Sequence, residues 1–235
     1  MQNTIEYHVV TKEQPDYLRQ AAECLAHTFS GVIVSDQFIQ EPIAGHLNIG
    51  YQELCEFTEG YLFSVVDQGY CIVAVENDIV VGVLAGDTDA PETDSYMPFG
   101  SPLNIIRYVL NKVDRCFLDD YEKRYGKTVH DGEALHLTML GVLAEHDRQD
   151  IVNQLFDIAL EKAVSQGLKF AFAEATNPRV MRLIEKYHGM RKYKDVEGNY
   201  IYHNYEEDRL LNGIPNSISD GTYIYVRNFD EHMAV

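Results

Sequence analysis

The sequence predicts an α/β fold in which helices flank a central mixed, partly parallel sheet, and three observations lead to this prediction. After residue 134, strand-like and helix-like segments alternate, which is typical of parallel strands joined by crossover helices. Residues 70–87 contain two β-rich runs around a Glu-Asn-Asp turn, which predicts a hairpin. Apolar residues recur with helical spacing over 102–118 and 149–166, which predicts two amphipathic helices.

The remaining elements follow from local composition and periodicity. Proline and aspartate at positions 15 and 16 open a helix whose apolar side is Leu18, Ala21, Ala22 and Leu25. Residues 30–50 fit no single period. In chain order, the other predictions are a strand at 5–10, a helix around 50–58, a polar loop at 91–100, a buried strand at 134–142, a strand at 168–175, a helix at 178–187, and strands at 199–205 and 221–229.

Charge restricts the partners of the chain. Its 235 residues include 19 lysines and arginines against 37 aspartates and glutamates, which gives a formal net charge of −18. Without a basic stripe to neutralise phosphates, nucleic acid is not an expected partner. The negative field favours a small cationic amine as ligand, although the same acidity also serves to keep a protein in solution. The length and composition fit a single domain over residues 1–235.

The cysteines and the N-terminus indicate the compartment. Cys24, Cys55, Cys71 and Cys116 show neither CxxC spacing nor a metal-ligand pattern with histidine, so no metal is expected. The first residues do not form a basic segment followed by an apolar run, and no apolar stretch approaches the roughly 18 residues that cross a bilayer. We therefore expect a cytoplasmic protein without a membrane partner, and a homodimer is left open.

The segment from Leu137 to Met190 carries the chemistry. It contains a strand, a loop, a helix, a second strand and a second helix. A strand that leads into a helix N-terminus creates an anion site, because backbone N–H groups and the helix dipole point at it, and a pyrophosphate would suit that site. The alternative is an ordinary strand–helix–strand unit that binds nothing.

This segment resembles the acetyl-CoA-binding core of the GNAT superfamily of acetyltransferases over residues 134–190. The positions that match its motifs are Val142, Ile151, Leu155, Asn177, Glu185, Lys186, Gly189 and Met190. The resemblance implies acetyl-CoA as cosubstrate, with backbone hydrogen bonds at the strand end, pyrophosphate at the helix start and pantetheine near the second motif. The residues implied to contact it are Leu140, Gly141, Val142, Arg148, Gln149, Asp150, Ile151, Val152, Asn153 and Asn177.

Two features are similar to the insect arylalkylamine N-acetyltransferases. The segment Phe38–Ile43 resembles their Phe-x-x-Glu-Pro-Leu signature, and a helical insert occupies residues 90–130. The resemblance implies that Glu41 is the general base, because an alkylamine must lose a proton before it attacks a thioester. His136 is a second candidate base, since histidine titrates near neutrality. Without the resemblance, Glu41 would be interpreted as a loop carboxylate and His136 as a structural residue.

The pyrophosphate loop departs from the family pattern. The two glycines that let backbone amides approach the phosphates fall on Asp150 and Val152, and the family arginine falls on Asp147, one place before Arg148. The tyrosine that serves as general acid in the family falls on Ile184, and we expect Tyr187, one turn away, to replace it.

Three functions remain open at this point. The first is an acetyl-CoA-dependent N-acetyltransferase of a small primary amine, and the second is a non-catalytic binding or regulatory protein with the same fold. The third is transfer of another acyl group, or use of another cofactor, at the altered loop.

Overall fold

The computed structural model describes residues 4–34, 36–90, 101–143 and 148–229. The predicted loop at 91–100 and most of the altered loop, residues 144–147, lie outside the described residues. The density of contacts divides the chain into two units. Unit 1 contains Met1–Glu41, Asn48–Asp87 and Leu137–Lys162, and unit 2 contains Pro42–Leu47, Thr88–His136 and Ala163–Val235. A single domain over 1–235 therefore stays a prediction.

A mixed sheet forms the centre of the fold. In chain order the strands are β1 (Glu6–Val9), β2 (Val32–Val34), β3 (Gln37–Ile39), β4 (Cys71–Glu76), β5 (Ile79–Asp87), β6 (Ala134–Val142), β7 (Phe170–Ala175), β8 (Arg191–Lys192), β9 (Tyr202–Asn204) and β10 (Gly221–Asn228). Within the described ranges the sheet order is β1-β4-β5-β6-β7-β10-β8, with β9 beside β10, and β2 pairs with β3 separately. Strands β6 and β7 are parallel, and β7 and β10 are antiparallel. The predicted mixed, partly parallel sheet is confirmed.

Helices flank this sheet. They are α1 (Pro15–Ser30), α2 (Pro42–His46), α3 (Tyr51–Val65), α4 (Pro102–Tyr125), α5 (Arg148–Ser165) and α6 (Pro178–Tyr187), and a 3₁₀ turn covers Val66–Gln68. Helix α4 starts at a serine N-cap followed by proline, and it ends at Gly126 in the left-handed conformation. In the part of the chain that the structure describes, no helix combines the length and the apolar character needed to cross a membrane.

The core of unit 1 is built on helix α1. Its predicted apolar side, Leu18, Ala21, Ala22 and Leu25, is buried with the inward residues of β4 and β5. Gly141 on β6 lies close to this helix, because a Cβ there would be 3.2 Å from Leu25 Cδ2 and 3.0 Å from Thr28 Oγ1. The glycine therefore permits a close approach between β6 and α1.

The core of unit 2 is aromatic. Phe117 on α4 packs edge-on against Phe170 of β7, with ring centroids 6.1 Å apart, and against Tyr193 at 4.9 Å. Val113, Ile224 and Val226 belong to the same cluster. Edge-to-face contacts of this kind add about 0.5–1.5 kcal/mol per pair beyond the burial of area, so these rings fix α4 against β7 and β10.

The structure extends several predictions and adds elements that the sequence did not indicate. Helix α3 continues to Val65 and α4 to Tyr125, beyond the predicted ends. The aperiodic stretch at 30–50 contains the short β2–β3 hairpin and α2, and β8 is a strand of two residues. Asp36, with φ of 62°, lies between β2 and β3 and has the left-handed conformation that aspartate tolerates at a tight turn.

Candidate functional site

The end of β6 and the start of α5 form the predicted cofactor segment of unit 1. Leu140 is half-buried, and Gly141 and Val142 are buried in the sheet. Helix α5 begins at Arg148. The first N–H groups of a helix have no partner inside the helix, so this end of α5 presents donors and a positive dipole end. That arrangement can bind an anion, as the sequence predicted.

The side chains of the first turn of α5 divide between core and solvent. Ile151 and Val152 are 1% and 6% exposed, so both contribute to the core. Gln149 Nε2 donates to Asn153 Oδ1 at 2.9 Å. Asp150 is exposed in the first turn, where its charge favours the helix dipole and opposes a bound phosphate.

Glu41 lies between β3 and α2. Its N–H donates to the carbonyl of Phe29 at 3.1 Å, which fixes its backbone to the end of α1. One carboxylate oxygen, Oε1, is buried. Phe38, three residues earlier, is 63% exposed, and its ring lies against Gly31, where a Cβ would be 2.1 Å from the ring. A partly buried carboxylate in this position can act as a base.

A second polar cluster in unit 1 was not predicted from the sequence. The hydroxyl of Tyr61 on α3 lies 2.7 Å from Asp87 Oδ2 at the end of β5 and 2.7 Å from Thr138 Oγ1 on β6. Thr138 Oγ1 also lies 3.4 Å from Asp87 Oδ2. Asp87 is 7% exposed. The sequence signal for this cluster was a carboxylate at the end of an otherwise apolar strand. Such a carboxylate can accept hydrogen bonds from an ammonium ion.

His136 forms a buried cluster in unit 2. Its Nε2 lies 2.7 Å from Glu174 Oε2 on β7, and its ring stacks on Phe172 with centroids 4.5 Å apart and 7° between planes. Asp114 on α4 is also buried, at 4% exposure, and it interacts with Glu174. The sequence predicted His136 but neither carboxyl group. The sequence signal for Glu174 was its position on β7, two residues after Phe172. Because side chains alternate along a strand, Glu174 stands on the same face as Phe172, where an inward apolar side chain is expected.

The other predicted residues of unit 2 lie on α6. Asn177 is the N-cap of this helix, and its Oδ1 accepts from the N–H of Arg179 at 2.9 Å. Tyr187 ends the helix and is 47% exposed, with Lys186 Nζ 4.7 Å from its ring centroid. Ile184, which takes the family tyrosine position, is 1% exposed.

The structure thus groups the candidate residues by unit. Unit 1 contains Glu41, the β6 end and the α5 start, and unit 2 contains His136, Asn177 and Tyr187. Their catalytic and cofactor roles stay predictions. Across the described ranges, no group of three or more histidine, cysteine, aspartate or glutamate side chains is placed to hold a metal ion.

Comparison with known proteins gives matches at the level of structure. No protein-family model matches the sequence, and no curated protein matches it. Solved structures do match. A polyamine N-acetyltransferase of Drosophila melanogaster that forms N-acetylagmatine is 15% identical, with a TM-score of 0.67 over 96% of this chain and 100% of that chain.

Two further solved structures are similar over nearly their full length. The C-terminal condensation domain of Ebony, in complex with β-alanyl-dopamine, is 15% identical with a TM-score of 0.66 over 96% of this chain and 99% of that domain. Arylalkylamine N-acetyltransferase 2 from Aedes aegypti is 15% identical, with a TM-score of 0.63 over 97% of this chain and 100% of that chain. At these identities the likeness establishes the fold, and the chain therefore has the fold of the GNAT acetyltransferases.

Proposed function

We propose that the chain is an acetyl-CoA-dependent N-acetyltransferase of a small primary amine. The likeness over 96–97% of the chain to enzymes named for polyamine and arylalkylamine acetylation carries this proposal. The net charge of −18 supports a cationic substrate, because a negative field concentrates cations near the protein. The helix start at Arg148 supports an anionic cosubstrate.

The proposed contacts with acetyl-CoA come from the end of β6, the start of α5 and Asn177. The backbone at Leu140–Val142 holds the pantetheine arm and thioester, and Asn177 is a further proposed pantetheine contact. Residues Arg148–Asn153 meet the pyrophosphate, and the free N–H groups at the start of α5 donate to it. A backbone N–H near Leu140 stabilises the oxyanion of the tetrahedral intermediate, which is worth about 3–4 kcal/mol where such donors are preorganised.

Glu41 is the proposed general base. The amine arrives protonated, and the carboxylate takes one proton so that the nitrogen lone pair can attack the thioester carbon. The carbon–sulfur bond then breaks with its electron pair on sulfur, and the thiolate takes up a proton. Tyr187 is the donor that the family resemblance implies, and His136 is the second candidate for proton transfer.

A transfer assay tests this function. The purified chain is incubated with acetyl-CoA and, in turn, agmatine, spermidine, dopamine and tyramine, and mass spectrometry follows the acetylated amine while a thiol reagent follows free CoA. We expect one amide formed per thiol released with at least one amine. Hydrolysis of acetyl-CoA without amide, or no reaction with any amine, would contradict the proposal.

The altered helix start favours a second candidate function. Asp150 places a carboxylate where a pyrophosphate would bind, which suits a protein that binds without catalysis or one that accepts another acyl donor. The likeness to a condensation domain holding β-alanyl-dopamine supports the acyl-donor alternative. Thermal unfolding separates these functions, because a ligand that binds only the folded state raises the melting temperature. Stabilisation by acetyl-CoA supports the transferase, and stabilisation by an amine alone supports the alternatives.

A further inference from the structure

The hairpin that joins β8 to β9 has two different faces. Its inward side chains, Tyr193 and Ile201, are buried in the aromatic core around Phe117. Side chains alternate along an extended backbone, so the neighbours of these two residues point away from the core. The outward neighbours, all in unit 2, are Lys192, Lys194, Tyr200 and Tyr202. The hairpin therefore presents lysine and tyrosine side chains together on one outer face.

The rings and ammonium groups on this outer face contact one another. Tyr202 stacks on Tyr223 of β10, with ring centroids 4.7 Å apart and 6° between planes. Lys192 Nζ lies 3.6 Å from the ring centroid of Tyr223. Lys194 Nζ lies 4.8 Å from the ring centroid of Tyr200. A ring face attracts a cation, so both ammonium groups are held beside the rings. These five residues are the lysine–tyrosine face.

Hydrogen bonds to α4 fix the hairpin that carries the lysine–tyrosine face. Asp120 accepts from the hydroxyl of Tyr193 at 2.8 Å and from the N–H of Val196 at 2.8 Å. Arg124 Nη2 donates to the carbonyl of Lys194 at 2.6 Å. Because this backbone is already ordered, it loses little conformational entropy when a partner binds, which favours association.

The lysine–tyrosine face is exposed and basic on a chain that is acidic as a whole. Tyr200 and Tyr202 are 49% and 43% exposed. Residues 186–194 contain four basic residues and no acidic one, whereas the whole chain has a net charge of −18. Tyrosine is enriched at protein interfaces, and ammonium groups beside it favour a partner with negative charge. The face thus has the chemistry of a docking surface for an acidic partner.

We propose that the lysine–tyrosine face binds an acidic segment of another protein in an extended conformation. Tyr200 and Tyr202 are two residues apart, so they repeat at about 6–7 Å, the spacing of alternate side chains in an extended peptide. Apolar side chains of the segment lie against these two rings. Its carboxylates pair with Lys192 and Lys194. This inference goes beyond the proposed transferase function and does not depend on it.

A peptide titration tests this docking surface. A fluorescein-labelled decapeptide of alternating glutamate and valine is titrated with the full chain, and fluorescence anisotropy gives Kd. A labelled decapeptide of the same composition, with all glutamates before all valines, is the control for the alternating pattern. We expect the alternating peptide to bind more tightly than the control. Its binding should weaken at high ionic strength, because charges on an exposed surface are screened by salt.

Charge variants locate the peptide on the chain. We expect Lys192→Gln combined with Lys194→Gln to weaken binding of the alternating peptide about fivefold to tenfold, since two exposed ion pairs are lost. Lys123→Gln combined with Lys127→Gln is the matched control. It removes the same two charges from exposed positions around the end of α4 and should leave Kd unchanged.

Variants of Tyr200 separate the ring from its hydroxyl group. Tyr200→Phe keeps the ring and should keep the parental Kd. Tyr200→Ser removes the ring and should weaken binding of the alternating peptide. Because Tyr200 is 49% exposed, neither change removes a core contact, and thermal unfolding confirms that both variants fold.

Three results would overturn the docking surface. The first is no binding of the alternating peptide at chain concentrations up to about 1 mM, the weak end of measurable affinity. The second is a Kd that is equal in the parent and in the variant that lacks both Lys192 and Lys194. The third comes from light scattering without peptide. A dimer that dissociates in the same variant would show that the face binds a second copy of this chain and not an acidic segment of another protein.

Discussion

Gly82 on β5 and Ile151 on α5 approach so closely that a side chain does not fit between them. A Cβ at position 82 would lie 2.7 Å from Ile151 Cγ2 and 3.3 Å from Val142 Cγ2. All three residues belong to unit 1. The glycine therefore allows the first turn of α5 to pack directly on the strands, and this packing sets the position of the proposed anion site.

We expect Gly82→Ala to destabilise the protein. The added methyl group must displace Ile151, and overpacking of this kind costs typically about 1–3 kcal/mol. Urea denaturation measures the change in the free energy of unfolding. Gly60→Ala is the matched control, because Gly60 lies in α3 with no atom within 4 Å of its Cβ position. This control should stabilise the protein by about 0.5–1 kcal/mol. Equal stabilities for Gly82→Ala and the parent would contradict the close packing.

The long helices and strands could be predicted from the sequence because their buried side chains recur at regular spacing. Helix α1 was predicted from apolar spacing, and its predicted apolar residues are buried. Residues 32–39 gave no signal, since the β2–β3 hairpin has only three residues per strand and Phe38 is exposed. The end of α4 was missed because Asp120 is buried against Tyr193, a partner 73 positions away that local periodicity cannot indicate.

The candidate site was predicted only in part, for the same reason. His136 was identified as a titratable residue on a buried strand, and Asp150 from its place in a motif. The partners of His136 were missed because Asp114 and Glu174 are far apart in sequence and look like interruptions of apolar patterns. Tertiary structure buries both residues and brings Glu174 Oε2 within 2.7 Å of His136 Nε2.

Glu41→Gln tests the proposed base. Glutamine keeps the size of the side chain but cannot accept a proton at neutral pH, so we expect turnover to fall by about two orders of magnitude. The deficit should shrink at high pH, where more amine is already deprotonated. Steady-state kinetics from pH 6 to 10 measure both effects. Glu161→Gln, at an exposed position on α5, controls for the loss of one charge. If Glu41→Gln keeps the parental rate, the base is not Glu41, and His136 becomes the candidate.

Asp150→Asn tests whether the charge of Asp150 weakens the binding of acetyl-CoA. We expect weak binding by the parent, because the carboxylate repels the pyrophosphate at the helix start. Removing one like charge at a partly screened site is worth on the order of 1 kcal/mol, so calorimetric titration should show about fivefold to tenfold tighter binding. The gain should shrink at high ionic strength. Asp157→Asn, two turns further along α5, is the charge-matched control. Submicromolar binding by the parent would contradict the repulsion.

We expect Val152 to affect the stability of the protein through its packing in the core, since its side chain has no charge that could repel a phosphate. Because it is 6% exposed, Val152→Gly removes buried atoms and adds backbone freedom in the first turn. We expect the double variant Asp150→Gly with Val152→Gly to bind acetyl-CoA more tightly than the parent but to unfold at lower urea concentration than Asp150→Asn. Tighter binding without loss of stability would show that Val152 does not support α5.

The ionisation of Glu174 predicts a pH dependence of stability. Burial alone would raise its pKa in the folded protein, but the charge of protonated His136 and its hydrogen bond to Glu174 outweigh burial and lower the pKa from 4.5 to about 2. A lowered pKa stabilises the folded state above the unfolded value, and this contribution is lost as pH falls toward 2. The difference in unfolding free energy between the parent and Glu174→Gln should therefore be largest above about pH 4.5 and close toward pH 2. A difference that stays constant across this range would contradict the ion pair.

Hydrogen exchange at the start of α5 tests whether acetyl-CoA binds at this helix start and at the end of β6. The N–H groups at the very start of a helix lack partners within the helix, so those of Gln149 and Asp150 should exchange fast in the free protein. Exchange is followed by mass spectrometry with and without acetyl-CoA at millimolar concentration. We expect slower exchange at Gln149–Asn153 and at Leu140–Val142 when acetyl-CoA is bound. Acetyl-CoA that leaves both segments unchanged, or protects only other parts of the chain, would contradict this expectation.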